Sequence, residues 1–390
     1  MRRSLFKQIL NPWAVGLSFL IWTCLGGLLL AQNIPPSGLP SGLPDDLSDA
    51  SPFFPCLGNL CGEQPPRCPW YGRADAVWLM RDRIDPVSLQ TLGTLGDVVL
   101  STDAINAPFR AGTQAVVGHN IGESRWQIDG TYLYMGIWDD AAAVRDSTSN
   151  GINTGNMFSP FSNFGQPPNN NGFDYNDFVS IREFSQLQSA ELNLRYTVPM
   201  PHECLTAKLI LGLRYLSVNE QFDYYSHSNV PVISPEIPTI LGSAVSLTTL
   251  TKNDLFGPQI GGEFYFYAYP QCWIDLGIKG ALCDNRALQD TNGNLVFGIN
   301  GNAPVTSPLA NRRGRDATAF VGDLDVELVW QLNRHIITRM GYQAIWINNL
   351  ALASRNFDPQ ASILLNGPPQ IDTIGRAVYH GPHIGLEVDW

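Results

Sequence analysis

Ser189, Ala190, Glu191, Leu192, Asn193, Leu194, Arg195, Tyr196, Thr197 and Val198 follow one another with an apolar side chain at every second place. In an extended chain Leu192, Leu194, Tyr196 and Val198 share one face, and Glu191, Asn193, Arg195 and Thr197 share the other. The first face is too bare for water and the second too polar for the core of a sandwich. The same pattern returns along the chain. Leu209, Leu211, Leu213 and Tyr215 oppose Lys208, Gly212 and Arg214. Trp126, Ile128, Gly130, Tyr132, Tyr134 and Gly136 oppose Gln127, Asp129, Thr131, Leu133 and Met135. Phe320, Leu324, Val326, Leu328 and Trp330 oppose Asp323, Asp325 and Glu327.

Working outward from these segments, period two predicts strands near 71–81, 110–120, 123–138, 178–199, 205–223, 244–269, 271–285, 315–331, 333–349 and 374–390. Tight turns fall around Asn120–Gly122, Pro199–Glu203, Pro270–Gln271 and Leu332–Asn333. Between them lie long Asn-, Ser-, Gly- and Pro-rich connections such as Asp139–Asp177 and Arg286–Arg315. Strict alternation of long and short connections is the pattern of an antiparallel up-and-down transmembrane β-barrel, with long extracellular loops and short periplasmic turns. The expected strand number is about ten, within a range of 8–12. Each segment can supply the roughly 9–11 residues that a tilted membrane strand needs. Trp70, Trp126, Trp138, Trp273, Trp330, Trp346 and Trp390 lie near strand ends, where interfacial aromatic girdles form.

Composition agrees. Among 390 residues only 15% are charged and 11% are aromatic, with 24 basic against 35 acidic side chains and a net charge of −11. Acidic balance excludes nucleic acid as a partner, since its binders need clustered positive charge. The mean hydropathy of −0.06 is too low for a helical membrane protein with several spans.

Residues 1–31 read as a signal peptide: Arg2, Arg3 and Lys7, an apolar run from Trp13 to Leu30, and a small residue at Ala31; the length of the apolar run makes an uncleaved anchor helix the competing reading. Residues 32–69 form a Pro-rich periplasmic linker with Cys56, Cys61 and Cys68, and 70–390 form the barrel. With the signal peptide removed six cysteines remain, Cys56, Cys61, Cys68, Cys204, Cys272 and Cys283, an even count that permits disulfides in an exported chain, their connectivity open. The spacing of the first three matches no zinc pair, so disulfides are expected rather than a metal.

The last segment carries the most specific signal. Ile384, Leu386, Val388 and Trp390 face one way and His383, Gly385, Glu387 and Asp389 the other. The set Gly385, Val388 and Trp390 resembles the β-signal read by the outer-membrane barrel assembly machinery. Further segments, Tyr71–Arg81, Ser189–Arg195, Leu211–Leu216, Asn253–Gln259 and Met340–Gln343, resemble the planctomycete-type outer-membrane β-barrel porins, the β-barrel protein seven family. The resemblance runs from about Trp70 to Trp390. It implies a barrel in the outer membrane of a Gram-negative-type bacterium, the lipid bilayer and the assembly machinery as partners, and no catalytic site. A lateral homo-oligomer is compatible with it.

With apolar faces toward lipid, the expected lumen contains Asp129, Glu191, Asn193, Arg195, Arg214, Glu263, Asp323, Asp325, Glu327 and Arg339, together with Asp75, Asp275, Glu387, Asp389, Arg73, Arg81, Lys208 and Lys279. Mixed signs predict pairing across a narrow interior. The leading functional expectation is a small or plugged porin-like channel. The alternative is an envelope barrel without transport, in a structural or surface-display role. A third reading, a small outer-membrane hydrolase, lacks a convincing constellation: His227 lies near Asp223 and Ser226, but sequence proximity is no triad. His380 and His383, three apart in a strand, fall on opposite faces. Asp174 and Asp177 read as solvated loop acids rather than a Ca²⁺ site. No catalytic, cofactor or metal residues are expected.

Overall fold

The alternation quoted above becomes an alternation of burial. In a computed structural model describing residues 69–83, 86–122, 124–146, 155–166, 174–201, 204–234, 237–269, 271–299, 305–357 and 371–390, Glu191 and Asn193 are buried while Leu192 and Leu194 are exposed. The expected signal peptide and all of the Pro-rich linker except Pro69 lie outside the described residues.

The strands are β1 (Trp70–Arg83), β2 (Ser88–Leu92), β3 (Asp97–Ser101), β4 (Arg110–Asn120), β5 (Trp126–Met135), β6 (Trp138–Arg145), β7 (Met157–Phe158), β8 (Phe178–Val198), β9 (Leu205–Ser234), β10 (Ile237–Tyr269), β11 (Cys272–Ile299), β12 (Val305–Gln331), β13 (Ile336–Leu350) and β14 (Gly375–Asp389). Ten of them form a closed ring in the order β1, β14, β13, β12, β11, β10, β9, β8, β5, β4 and back to β1, every pairing antiparallel. The expected strand number and barrel class are thus the observed ones. Closure rests on the β1–β14 seam, which ends in reciprocal backbone bonds between Trp70 and Trp390 of 3.1 and 2.9 Å.

Three expectations need correction. The connection expected over Arg286–Arg315 is instead a continuation of strand, β11 reaching Ile299 and β12 starting at Val305. Its inward Ala287, Gln289, Thr291 and Leu295 are buried, but its outward Arg286, Asp290 and Asn292 are polar, so composition disguised the alternation as a loop. Likewise β9 and β10 extend past their expected ends to Ser234 and from Ile237. The expected connection Asp139–Asp177 contains β6 and β7, and β7 joins β2 and β3 in a small separate sheet.

The third correction concerns the aromatic girdle. Trp70, Trp126, Trp330 and Trp390 stand exposed at the short-turn end, but Trp138 and Trp273 are buried inside. Trp138 would share the outward face of Trp126 by simple parity. Between β5 and β6 the chain breaks at Gly136 and Ile137, where Gly136 N still bonds Ala111 O at 3.0 Å. That break turns Ile137 outward and Trp138 in. Trp346 lies flat on the outer face, its ring filling the place that a Cβ on the cross-strand partner Gly322 would take.

Outward Leu209, Leu211, Leu213, Phe256, Ile260, Leu282, Met340, Ile384 and Leu386 form an apolar band. On β9 it stops above Tyr215, where Ser217, Asn219 and Gln221 follow. An arginine at the centre of such a band costs about 2–4 kcal/mol, falling toward zero near the interface. Leu211→Arg is therefore expected to lower the folded fraction in refolding assays read by heat-modifiable gel mobility, whereas Asn219→Arg leaves it near wild type.

A charged vestibule beneath an apolar core

Register, not chance, assembles the interior charges. Inward Glu191 on β8 lies directly opposite Arg214 on β9, Lys208 opposite Glu263 on β10, Lys279 on β11 opposite Asp323 on β12, and Arg73 on β1 opposite Glu387 on β14. A buried ion is tolerable only where an opposite charge and further hydrogen bonds replace its water. The pairs link into chains. Arg73 binds Asp75 at 2.7 Å and Glu327 at 2.5 Å. Arg339 reaches Glu327 and Glu387, both at 2.8 Å, and Asp275 at 3.4 Å. Lys279 holds Glu191 at 2.9 Å, and Arg214 contacts Asp323 at 3.2 Å. Arg195 is clamped between Asp129 and Glu263, with Asn193 donating to Asp129 at 3.2 Å. All ten residues expected in the lumen therefore sit on the inward face, and nine are joined by these bonds. The tenth, Asp325, accepts from His383 at 2.9 Å.

Small residues make room for these side chains. A Cβ on Gly385 would occupy the position of the Asp75 carboxylate, and one on Gly341 would press against His383 Nε2 at 2.7 Å. Val388 and Trp390 of the expected assembly signal are exposed on the outer face.

These charges line a cavity of about 220 Å³, which reaches from Asn120, Gln331 and Arg334 beside the short turns up to Leu133 and Ile345. Above it the interior turns apolar. Leu79, Met135, Leu187, Leu216, Leu255, Val321, Ile345 and Tyr379, all inward and each at most 1% exposed, belong to one packed cluster drawn from β1, β5, β8, β9, β10, β12, β13 and β14. Barrels of about this strand number are filled by their own side chains. Higher still, Arg81 joins Glu183 at 2.9 Å and also binds Glu220. A second apolar cluster then includes Leu89, Phe161, Phe222, Tyr224 and Phe357.

Sequence reading missed the element that completes this upper filling. After β13 the chain turns inward, and Ala351, Ala353 and Phe357 are buried. The wall grips this segment through polar side chains. Asn253 exchanges bonds with Ala351 N and O at 2.8 and 2.9 Å, Glu220 accepts from Ala353 N at 2.9 Å, and Gln289 donates to Asn356 O at 3.0 Å. Inward Asn and Gln among apolar neighbours, high on β10 and β11, were the available signal.

The described histidines do not assemble the pairing considered at His227. His227 pairs with Asp177 at 2.9 Å, while Asp223 accepts from Thr248 at 2.7 Å and Ser226 is buried on the inner face, so the three do not converge. His380 and His383 fall on opposite faces as expected, His380 against Tyr342 and Asp82, His383 against Asp325. Asp325, Glu327 and His383 bring three donor atoms within 4.8 Å of one another. Arg73 and Arg339 already occupy both oxygens of Glu327, and two guanidinium charges at that range repel a divalent cation. Cys204, beside the β8–β9 turn, is disulfide-bonded, and Cys283 is a buried thiol within the first apolar cluster.

The family described as "Putative beta barrel porin-7 (BBP7)" matches residues 81–390. The chain belongs to this family of outer-membrane β-barrel proteins. No curated protein matches it in sequence. Among solved structures it is similar to the outer membrane protease OmpT from Escherichia coli, with 10% identity and a TM-score of 0.40, covering 83% of this chain and 97% of that one. It is also similar to the toluene transporter TodX of P. putida, with 9% identity, a TM-score of 0.27 and coverage of 84% and 91%. Similarity at these scores carries no argument about activity.

Two outcomes follow from the interior. Glu327→Gln removes the carboxylate that Arg73 and Arg339 share while leaving them Asp75 and Glu387, so the expected loss is below the about 3–5 kcal/mol of a buried pair broken outright. Denaturant unfolding in detergent should register that loss. At the long-loop rim, Asp174 is 2% exposed and accepts from Ser162 Oγ at 2.5 Å and Ser159 N at 3.2 Å. Burial outweighs these bonds and pushes its carboxyl above the ordinary value. A raised carboxyl stabilises the fold at acid pH and loses that contribution as pH rises through it, by at most about 1.4 kcal/mol per pH unit. Hydrogen exchange at Phe164 and Gln166, corrected for intrinsic rates, should quicken between pH 4 and 7, and Asp174→Asn should flatten that slope.

Proposed function

We propose that the protein is an outer-membrane barrel closed to general diffusion, offering a blind charged vestibule to the periplasm. The packed inward cluster around Leu79, Met135, Leu216, Val321 and Tyr379 carries this reading, because it lies across the interior above the cavity. Short turns mark the periplasmic end of such barrels, so the vestibule opens there. This favours the envelope-barrel alternative over the narrow porin-like channel that led the expectations from sequence. A role as hydrolase finds no support in the histidine geometry.

The decisive measurement is ion conductance across a planar bilayer containing the refolded protein. Silence at physiological salt is expected, with heat-modifiable mobility certifying the fold. Discrete, salt-dependent steps that change with Asp323→Asn would instead establish a narrow channel through this lumen.

A further inference from the structure

Asp275 stands apart from the other interior acids. It is inward on β11, 8% exposed, and its Oδ1 has no hydrogen-bond partner among the described residues. Across the register it faces Tyr265 on one side and another carboxylate, Glu327, on the other. Its nearest cation is the Arg339 guanidinium at 3.4 Å, which is committed at 2.8 Å to both Glu327 and Glu387. A buried carboxylate so placed is short of positive charge. The cavity repeats the deficit, since its described lining carries eight acidic side chains against seven basic ones.

The walls beside Asp275 are aromatic. Tyr265, Tyr267 and Trp273 all line the cavity, and the rings of Tyr267 and Trp273 lie 5.5 Å apart. One ring already serves a cation, as Lys208 Nζ sits 4.7 Å from the centroid of Tyr265. A cation beside a carboxylate gains further from an aromatic face once water is excluded. Alkali ions are strongly hydrated and gain little from such rings, whereas an alkylammonium presents donors to the carboxylate and methylenes to the aromatics.

We infer that the vestibule binds a small primary alkylammonium from the periplasm, its ammonium on Asp275 Oδ1 and its chain against Trp273 and Tyr267. The site rests on the reading that the cavity opens to the periplasm. It asks nothing of conduction.

Propylammonium chloride titrated calorimetrically into the full chain, refolded in zwitterionic detergent at constant ionic strength, tests it. Saturable one-to-one binding is expected, with no binding of the neutral isostere 1-propanol. Asp275→Asn should weaken affinity at least tenfold, and Trp273→Leu severalfold. Undiminished affinity in Asp275→Asn overturns the site, as does competition by sodium at concentrations equal to the amine. Should Asp275→Asn fail to fold, the comparison of propylammonium with 1-propanol on the unaltered protein decides alone, equal or absent binding being fatal. A barrel that conducts yet binds the amine overturns only the closed-barrel reading, while a silent barrel without saturable binding overturns only the site.

Discussion

Everything in this molecule depends on the closure of the ring. In hydrocarbon no water is available to an unpaired backbone N–H or C=O, so an open sheet edge is not viable there. The β1–β14 seam removes both edges at once, and Trp70 and Trp390 complete it with reciprocal bonds. Closure also fixes what the interior can be. Ten strands enclose a space that side chains from opposite walls can bridge, so the chain must specify what fills it layer by layer.

The filling comes in two kinds with different physical roles. Near the short turns, arginine and lysine chains cross between strands to reach carboxylates, and inward glycines leave them space. Net stabilisation from such buried pairs is small, because desolvation offsets attraction, but a wrong partner leaves a naked charge. The charged layer therefore specifies geometry more than it adds stability. Higher up, aliphatic and aromatic side chains pack into two clusters, and an inward-folded segment after β13 joins them through hydrogen bonds to Asn253, Glu220 and Gln289. The boundary between the layers separates a charged cavity from a packed apolar cluster.

Much of this was legible in period two alone. The strand number, the short turns and the inward charges all follow from which side chain falls on which parity. What stayed hidden has identifiable causes. Parity assumes an unbroken strand, and the break at Gly136 and Ile137 reversed Trp138. Strands that leave the membrane exchange apolar outward residues for Arg, Asp and Asn, so the far parts of β11 and β12 looked like loop. The inward fold of residues 351–357 is a tertiary event, set by Asn253 and Gln289 more than ninety and sixty residues away in sequence respectively, and no local period announces it. Within the vestibule the charge types were readable, but that Asp275 keeps one unbonded oxygen among the described residues depends on how Arg339 divides its donors.

The last strand has one further property. Its outward Ile384, Leu386 and Val388 alternate with inward His383, Gly385 and Glu387, and each inward residue meets a specific occupant of the lumen. A slip of one residue at the seam would exchange the two faces. Glu387 would then enter lipid and Ile384 would displace a charge pair, so the misclosed ring would be penalised on both sides of its wall. The closing strand thus acts as its own gauge: of the alignments of β1 against β14, the observed one alone keeps both the lipid face and the charge pairs satisfied.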